Sequence, residues 1–164
     1  MKRFRWYGIV LNLILAALVI TGAALYAINS NGKQSGRTLV IRDSGTGRVY
    51  GKWPLGKSGE FAIEFVHSVH QGPVRELYKA EGMMIRPYSV RFTSFGAGMQ
   101  SDLEEGRTLS RDGDALVMSG FTASFKELNY IVGTVSDHLL IVNEDIFSLR
   151  EICGRNAHIT IRVK

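Results

Sequence analysis

Alternation of apolar and polar side chains is the feature of this sequence that most restricts what the chain can fold into. Two neighbouring runs, FAIEFVH at residues 61–67 and VRELYKA at residues 74–80, place an apolar residue at nearly every second position. This period of two is that of a β-strand, whose successive side chains point to opposite faces of a sheet. Two inward rows are predicted: Phe61, Ile63, Phe65 and His67 in the first, and Val74, Glu76, Tyr78 and Ala80 in the second.

Runs of the same kind recur from Leu39 to Val163, with turn residues between them at the spacing found in sandwiches and barrels. Helical spacing is nearly absent from the same part of the chain. We therefore expect an all-β domain over residues 37–164, built as an antiparallel sandwich or as a barrel. The pattern does not choose between these two architectures.

Turn residues predict how some of these runs pair. Asp112-Gly113 is the strongest hairpin signal, because a tight two-residue turn needs positive φ. A second hairpin is predicted between residues 130–135 and 138–142, around Ser136-Asp137. The run at residues 48–55 is interrupted by glycine and proline, which predicts a strand at the edge of a sheet.

The N-terminal segment has the composition of a membrane anchor. Residues 6–28 carry no charge, and as a helix they span about 34 Å at about 1.5 Å per residue, enough to cross a hydrocarbon layer. Lys2, Arg3 and Arg5 precede this run, so the positive-inside rule predicts a cytoplasmic tail over residues 1–5. A single-pass transmembrane helix over residues 6–28 is the expectation.

The segments that follow this anchor are then extracytoplasmic. Residues 29–36, NSNGKQSG, have the composition of a short flexible linker. Beyond the linker, the domain of residues 37–164 is expected in the periplasm or at the cell surface. Cleavage of the apolar run as a signal peptide is the competing interpretation, because small alanines lie near its end.

Charge and cysteine content exclude several classes of protein. Of the net charge of +5, three units come from Lys2, Arg3 and Arg5, and the other basic residues are dispersed, which argues against nucleic-acid binding. Cys153 is the only cysteine, so neither an intrachain disulfide nor a thiolate-rich metal site is possible. His67 and His70 do not share a face on a strand, so we expect no metal, and no cofactor is indicated.

Three polar residues at inward positions form the predicted site. A hairpin closed by residues 70–73 would place His67 directly opposite Glu76, and the row Tyr88, Val90 and Phe92 carries Ser94 inward. Gly96 and Gly98 follow and would permit close approach of a ligand. An inward carboxylate needs a partner, so His67 and Glu76 are interpreted either as a structural ion pair or as part of a ligand site.

The chain also resembles a known family through HSVHQGPVRELY, TSFGAGM and VSDHLLIV. This family consists of small proteins with a domain of unknown function that occur alongside TAXI-type TRAP transporters, and the resemblance covers Leu39 to Val163. Its motif matches His67, Ser68, Val69, Pro73, Val74, Glu76, Ser94, Gly96, Ala97 and Gly98, and the chain departs from it at Gln71-Gly72.

TRAP systems are ion-coupled secondary transporters in which an extracytoplasmic binding protein delivers organic acids to membrane subunits. The resemblance implies an accessory or regulatory module, with the membrane subunits or the binding protein as its partner. A structural interaction module without a ligand is the first alternative. The second is an envelope hydrolase, since Ser94, His67 and Glu76 have the residue types of a nucleophile, a base and an acid. The sequence has no nucleophile-elbow motif, so the expectation is that the chain is not an enzyme.

Overall fold

Strands that pair in two separate sheets make up nearly all of the regular structure in the part of the chain that the structure describes. A computed structural model describes residues 36–67, 71–93 and 106–164, which belong to one unit, Gly36–Lys164. The described strands are β1 (Thr38–Asp43), β2 (Val49–Pro54), β3 (Glu60–Val66), β4 (Pro73–Glu81), β5 (Met84–Phe92), β6 (Thr108–Asp112), β7 (Ala115–Ser119), β8 (Leu128–Ile131), β9 (His138–Val142), β10 (Asp145–Ser148) and β11 (His158–Val163). A short helix, α1 (Leu149–Cys153), lies between the last two strands.

Several predicted features lie outside the described residues. These are the tail 1–5, the apolar run 6–28, all but the last residue of the linker 29–36, and the site residues Ser94, Gly96 and Gly98. Within the described ranges, no helix has the length and apolar character needed to cross a membrane.

The four-stranded sheet has the order β2-β1-β11-β8, and the seven-stranded sheet has the order β10-β9-β3-β4-β5-β7-β6. Strand β4 is therefore the central strand of the larger sheet. Residues of both sheets contribute to one buried cluster, in which Ile41 and Ile161 of the small sheet pack with Ile63 and Leu140 of the large one. The all-β prediction is confirmed, and the architecture is a two-sheet sandwich.

The predictions for the edge strand β2 and for the β6–β7 hairpin are confirmed. β2 lies at the edge of the small sheet, as the interrupted run indicated. β6 and β7 form the predicted hairpin, although the two loop residues are Gly113 and Asp114, because Asp112 pairs with Ala115. Gly113 supplies the positive φ of 60°.

The predicted hairpin around Ser136-Asp137 is wrong. β8 pairs with β11 in the small sheet, whereas β9 pairs with β3 and β10 in the large sheet. The segment between β8 and β9 therefore crosses from one sheet to the other. Tertiary pairing decided this connection, because a short loop between two apolar runs is equally compatible with a hairpin and with a crossing.

The predicted register of the β3–β4 hairpin is also wrong. Phe65 pairs with Val74, and Ile63 pairs with Glu76, so the strands are shifted by four residues from the prediction. The loop is longer than expected: the Gln71 N–H donates to the His67 carbonyl and the His67 N–H donates to the Gly72 carbonyl, both at 2.9 Å. Since four is an even number, the shift leaves the inward rows of both strands facing the core.

A β-bulge in β5 makes the predicted inward row of Tyr88, Val90 and Phe92 wrong at Tyr88. Tyr78 pairs with Pro87 and Leu77 pairs with Ser89, so Tyr88 is an extra residue in β5. Tyr88 lines a groove on the outer face with Leu77 and Arg75, while Val90 and Phe92 stay on the inner face. Period-two alternation cannot reveal such an insertion, because the bulge changes the face at one point of the strand.

The two ends of the sandwich differ in the turns and chain ends that they contain. The hairpin end contains the turn between β4 and β5, the start of β1 and the end of β11, which is joined to β1 by bonds between Thr38 and Lys164. The His138 end contains the turn between β3 and β4 and the start of β9, where Phe65 pairs with His138.

Candidate functional site

Glu76 is an acidic residue on the inner face of the central strand. Its neighbours across the sheet are Ile63 on β3 and Val90 on β5, and the next inward residues along β4 are Val74 and Tyr78. Val74, Tyr78 and Ile63 are buried, whereas Glu76 keeps part of its surface exposed. A carboxylate in apolar surroundings loses hydration and needs hydrogen-bond donors in exchange.

Two tyrosine hydroxyls supply these donors. The Tyr78 hydroxyl donates to Glu76 Oε2 at 2.9 Å, and the Tyr130 hydroxyl donates to the same oxygen at 2.5 Å. The two hydroxyl oxygens are themselves 2.7 Å apart. Tyr130 lies on β8, so this cluster of Glu76, Tyr78 and Tyr130, here called the tyrosine–glutamate cluster, joins the two sheets.

The cluster has more short contacts than it has hydroxyl protons. Three oxygen–oxygen contacts are present, but two hydroxyls provide only two protons when the carboxylate is ionised. Among the described residues, no hydrogen bond reaches the other carboxylate oxygen, Oε1, which leaves an acceptor for a further donor.

Burial and the nearby carboxylate keep both hydroxyls protonated. Burial raises the pKa of Tyr78 and of Tyr130 well above the usual tyrosine value, and the charge of Glu76 raises both further. Each of these causes disfavours a phenolate, because a phenolate would be a second anion in a poorly hydrated place. The two side chains therefore act as hydrogen-bond donors throughout the neutral pH range.

His138 flanks this cluster at the start of β9. Its ring stacks on Phe65 with centroids 4.9 Å apart, and it meets the Tyr130 ring edge-on at 6.1 Å. The Gly133 N–H donates to His138 Nδ1 at 3.1 Å. Burial lowers the pKa of His138, although the charges of Asp137 and Glu76 oppose this change.

The hydrogen bond from Gly133 selects one tautomer of the neutral His138 ring. Because Nδ1 accepts a hydrogen bond, the ring of neutral His138 carries its proton on Nε2. A second proton on Nδ1 would break the bond from Gly133. The His138 ring is half-buried and packs against two aromatic side chains, Phe65 and Tyr130.

His67 does not lie opposite Glu76, where the predicted register had placed it. The backbone of His67 pairs with Gly72, which lies four residues from Glu76, or about 13 Å along a strand at about 3.3 Å per residue. A catalytic triad through a direct His67–Glu76 contact therefore has no support in the register. Ser94, Gly96 and Gly98 lie outside the described residues.

Sequence reasoning identified Glu76 but missed its partners. Tyr130 comes from a run that was predicted to pair with residues 138–142, whereas its strand pairs with β11 in the small sheet, so its approach to Glu76 was not foreseen. A signal was nevertheless available, since a glutamate on an inward row indicates that donors must exist somewhere in the core. The described residues contain no group of three or more histidine, cysteine, aspartate or glutamate side chains able to hold a metal ion.

A protein-family model matches the part of the chain that contains this cluster. The family model described as a domain of unknown function (DUF1850) matches residues 61–149, which include Glu76, Tyr78, Tyr130 and His138. No curated protein and no solved structure matches the chain.

Proposed function

We propose that this chain, which belongs to the family of the domain of unknown function DUF1850, is a membrane-anchored extracytoplasmic accessory or regulatory module of a TAXI-type TRAP transporter. The uncharged run of residues 6–28 supports the anchor, and the sequence resemblance supports the partner. Within the sandwich, Glu76 binds a small polar ligand through a donor group on that ligand.

The arrangement of hydrogen bonds around Glu76 is the main support for this ligand site. One carboxylate oxygen holds two tyrosine hydroxyls, while Oε1 receives no donor from the described residues and the residue is partly exposed. An ionised carboxylate that is held by buried groups on one side and open on the other suits recognition of an ammonium, amide or hydroxyl group. The rigid sheet sets its position before the ligand arrives.

A structural interaction module is the second candidate, and one observation favours it. Tyr130 and Glu76 come from different sheets, so their hydrogen bond also braces the sandwich. In this alternative the cluster serves stability alone, and partner binding uses another surface.

Replacing Glu76 by glutamine separates the two candidates. Glu76→Gln keeps the size of the side chain and its capacity to accept hydrogen bonds, so we expect a folded domain that melts a few degrees lower and no longer supports transport in cells. Glu64→Gln is the matched control, because Glu64 lies on the outer face of the neighbouring strand and pairs with Arg75. Proportional loss of stability and transport in Glu76→Gln would assign the cluster to bracing, and full transport activity would refute the ligand site.

His67→Gln tests the other predicted residue that lies within the described part of the chain. We expect the same separation of stability from transport support if His67 contributes to ligand binding from the turn. A variant that transports as well as the unchanged protein would remove His67 from the site.

Membrane topology and partnership need their own measurements. Protease added outside the cytoplasmic membrane should digest the body, and alkaline extraction should leave the intact chain in the membrane. Mild-detergent purification should recover a transporter membrane subunit or binding protein, because anchoring raises the effective concentration of even a weak partner. Release of a shortened soluble chain would contradict the anchor, and repeated absence of transporter subunits after crosslinking would contradict the partnership.

A further inference from the structure

Two large apolar side chains are exposed at the hairpin end of the sandwich. Met83, in the turn between β4 and β5, is 73% exposed, and Phe125 is 42% exposed. Backbone hydrogen bonds of 2.7 and 2.8 Å between Phe125 and Ile85 hold Phe125 beside the start of β5. Met83 and Phe125 line an open groove of about 690 Å³ whose other wall is the end of β11. Exposed apolar groups that share a groove indicate a contact surface.

Lysines accompany these apolar groups. Lys126 and Lys164 line the same groove, and Lys57 lies at the same end, where its carbonyl accepts a hydrogen bond from Arg37. All three lysines are exposed, and none forms an ion pair within the described part of the chain. The nearby acids Glu81 and Glu127 are already paired with arginines. Glu144 is exposed near Ser58, beside Lys57, so the excess positive charge belongs to the groove itself, whose lining has three basic side chains, Lys126, Arg162 and Lys164, and one acid, Glu127.

The polypeptide also enters the domain at this end. Thr38 exchanges two backbone hydrogen bonds with Lys164, so Gly36 lies beside the lysine-rich groove. Only residues 29–36 separate the domain from the uncharged run, and eight residues reach at most about 28 Å when fully extended.

We infer that the hairpin end is a docking surface for an anionic lipid bilayer, in which Met83 and Phe125 enter the headgroup region and Lys57, Lys126 and Lys164 contact lipid phosphates. The charge is complementary to an anionic membrane surface, and the combination of apolar and basic groups is that of peripheral membrane contacts. This inference rests on the anchor of the proposed function. It adds that the domain lies on the membrane by one defined end.

Site-specific fluorescence on the full chain in lipid nanodiscs tests the contact. In a Cys153→Ser background, Met83→Cys is labelled with a polarity-sensitive dye. Val135→Cys is the matched control, because Val135 is also apolar, is 88% exposed and lies next to the His138 end. We expect emission from position 83 to shift to shorter wavelength in anionic nanodiscs, less so in neutral nanodiscs, and emission from position 135 to stay that of a dye in water.

Removal of positive charge provides a second measurement with the same label at position 83. Replacing Lys126 and Lys164 by glutamine should reduce the shift at position 83 and its sensitivity to salt, since each lysine near an anionic surface changes binding by about fivefold. Equal, water-like emission from positions 83 and 135 in a chain embedded in the bilayer would overturn this inference alone. Shielding of position 83 that requires added transporter subunits would overturn it in favour of a protein partner. A chain that does not enter nanodiscs would overturn the anchor as well.

Discussion

The Tyr130 hydroxyl donates to Glu76 Oε2 across the interface between the two sheets, at 2.5 Å. The residues are 54 positions apart in the chain and lie on β8 and β4. This contact replaces the pair of His67 and Glu76 that the sequence predicted, and it satisfies an acid on the central strand with a donor from the opposite sheet. The stability of the sandwich and the proposed ligand site therefore depend on the same side chain.

Removing the Tyr130 hydroxyl measures this contact directly. Tyr130→Phe should lower the free energy of unfolding by about 1 to 3 kcal/mol, because a hydrogen bond to a charged group is lost. The measurement is chemical denaturation of the full chain in detergent. Tyr88→Phe is the matched control, since Tyr88 lies on the outer face of the same sheet, and we expect little change there.

A double-mutant cycle tests whether the tyrosine–glutamate cluster acts as a unit. Tyr78→Phe and Tyr130→Phe share one acceptor oxygen, so the double variant should lose measurably less or more stability than the sum of the single variants. Strict additivity would contradict the shared network.

The domain should become less stable as the pH is lowered, because His138 then takes up a proton. Burial lowers the folded-state pKa of His138 below the value of 6.5, so the unfolded chain binds the proton more tightly. The contribution of neutral His138 is therefore present above pH 6.5 and is lost progressively as the pH falls from 6.5 towards the lowered folded-state pKa. Denaturation midpoints measured across this range, compared with those of His138→Gln, check the prediction. An unchanged pH dependence in the variant would show that other groups are responsible.

Gly133 should not tolerate a side chain. A Cβ at this position would lie 2.1 Å from the Ser136 carbonyl oxygen, and it would come within 3.3 Å of the His138 ring. Gly133→Ala should therefore destabilise the domain by about 1 to 3 kcal/mol and change the NMR shifts of the His138 ring. Gly45→Ala is the control, because its nearest contact would be an ordinary 3.5 Å to Asp43. Equal stability of the two variants would contradict the close approach.

Asn143 links the turn after β9 to the end of β2 and to Gly56, which follows that strand. Its side chain accepts from the Gly56 N–H at 3.0 Å and donates to the Pro54 carbonyl at 2.9 Å, and its φ is 50°. Asn143→Gly loses the hydrogen bonds, whereas Asn143→Ala loses them and also strains the backbone. We expect alanine to be less stable than glycine by about 0.5 to 1 kcal/mol in thermal denaturation, after the greater chain entropy of glycine is included. The reverse order would show that φ at this position is not restrained.

The sequence alone determined the all-β class, the inward rows of β3 and β4, and the presence of an acid among apolar residues. These features depend on side-chain alternation and turn chemistry, which act between residues close together in the chain. The last strand illustrates this: Ile159, Ile161 and Val163 are buried, and His158 and Arg162 are exposed, as their alternation predicts.

Tertiary structure alone decided the choice of a sandwich, the sheet to which β8 belongs, the β3–β4 register and the partners of Glu76. A shift of four residues keeps every side chain on its predicted face, so alternation cannot detect it. The partner of Glu76 depends on which strand of the small sheet packs over β4, and that choice is made by packing between residues far apart in the chain. Local pattern thus predicted that Glu76 needs a donor, and only the packing of two sheets brought Tyr130 to it.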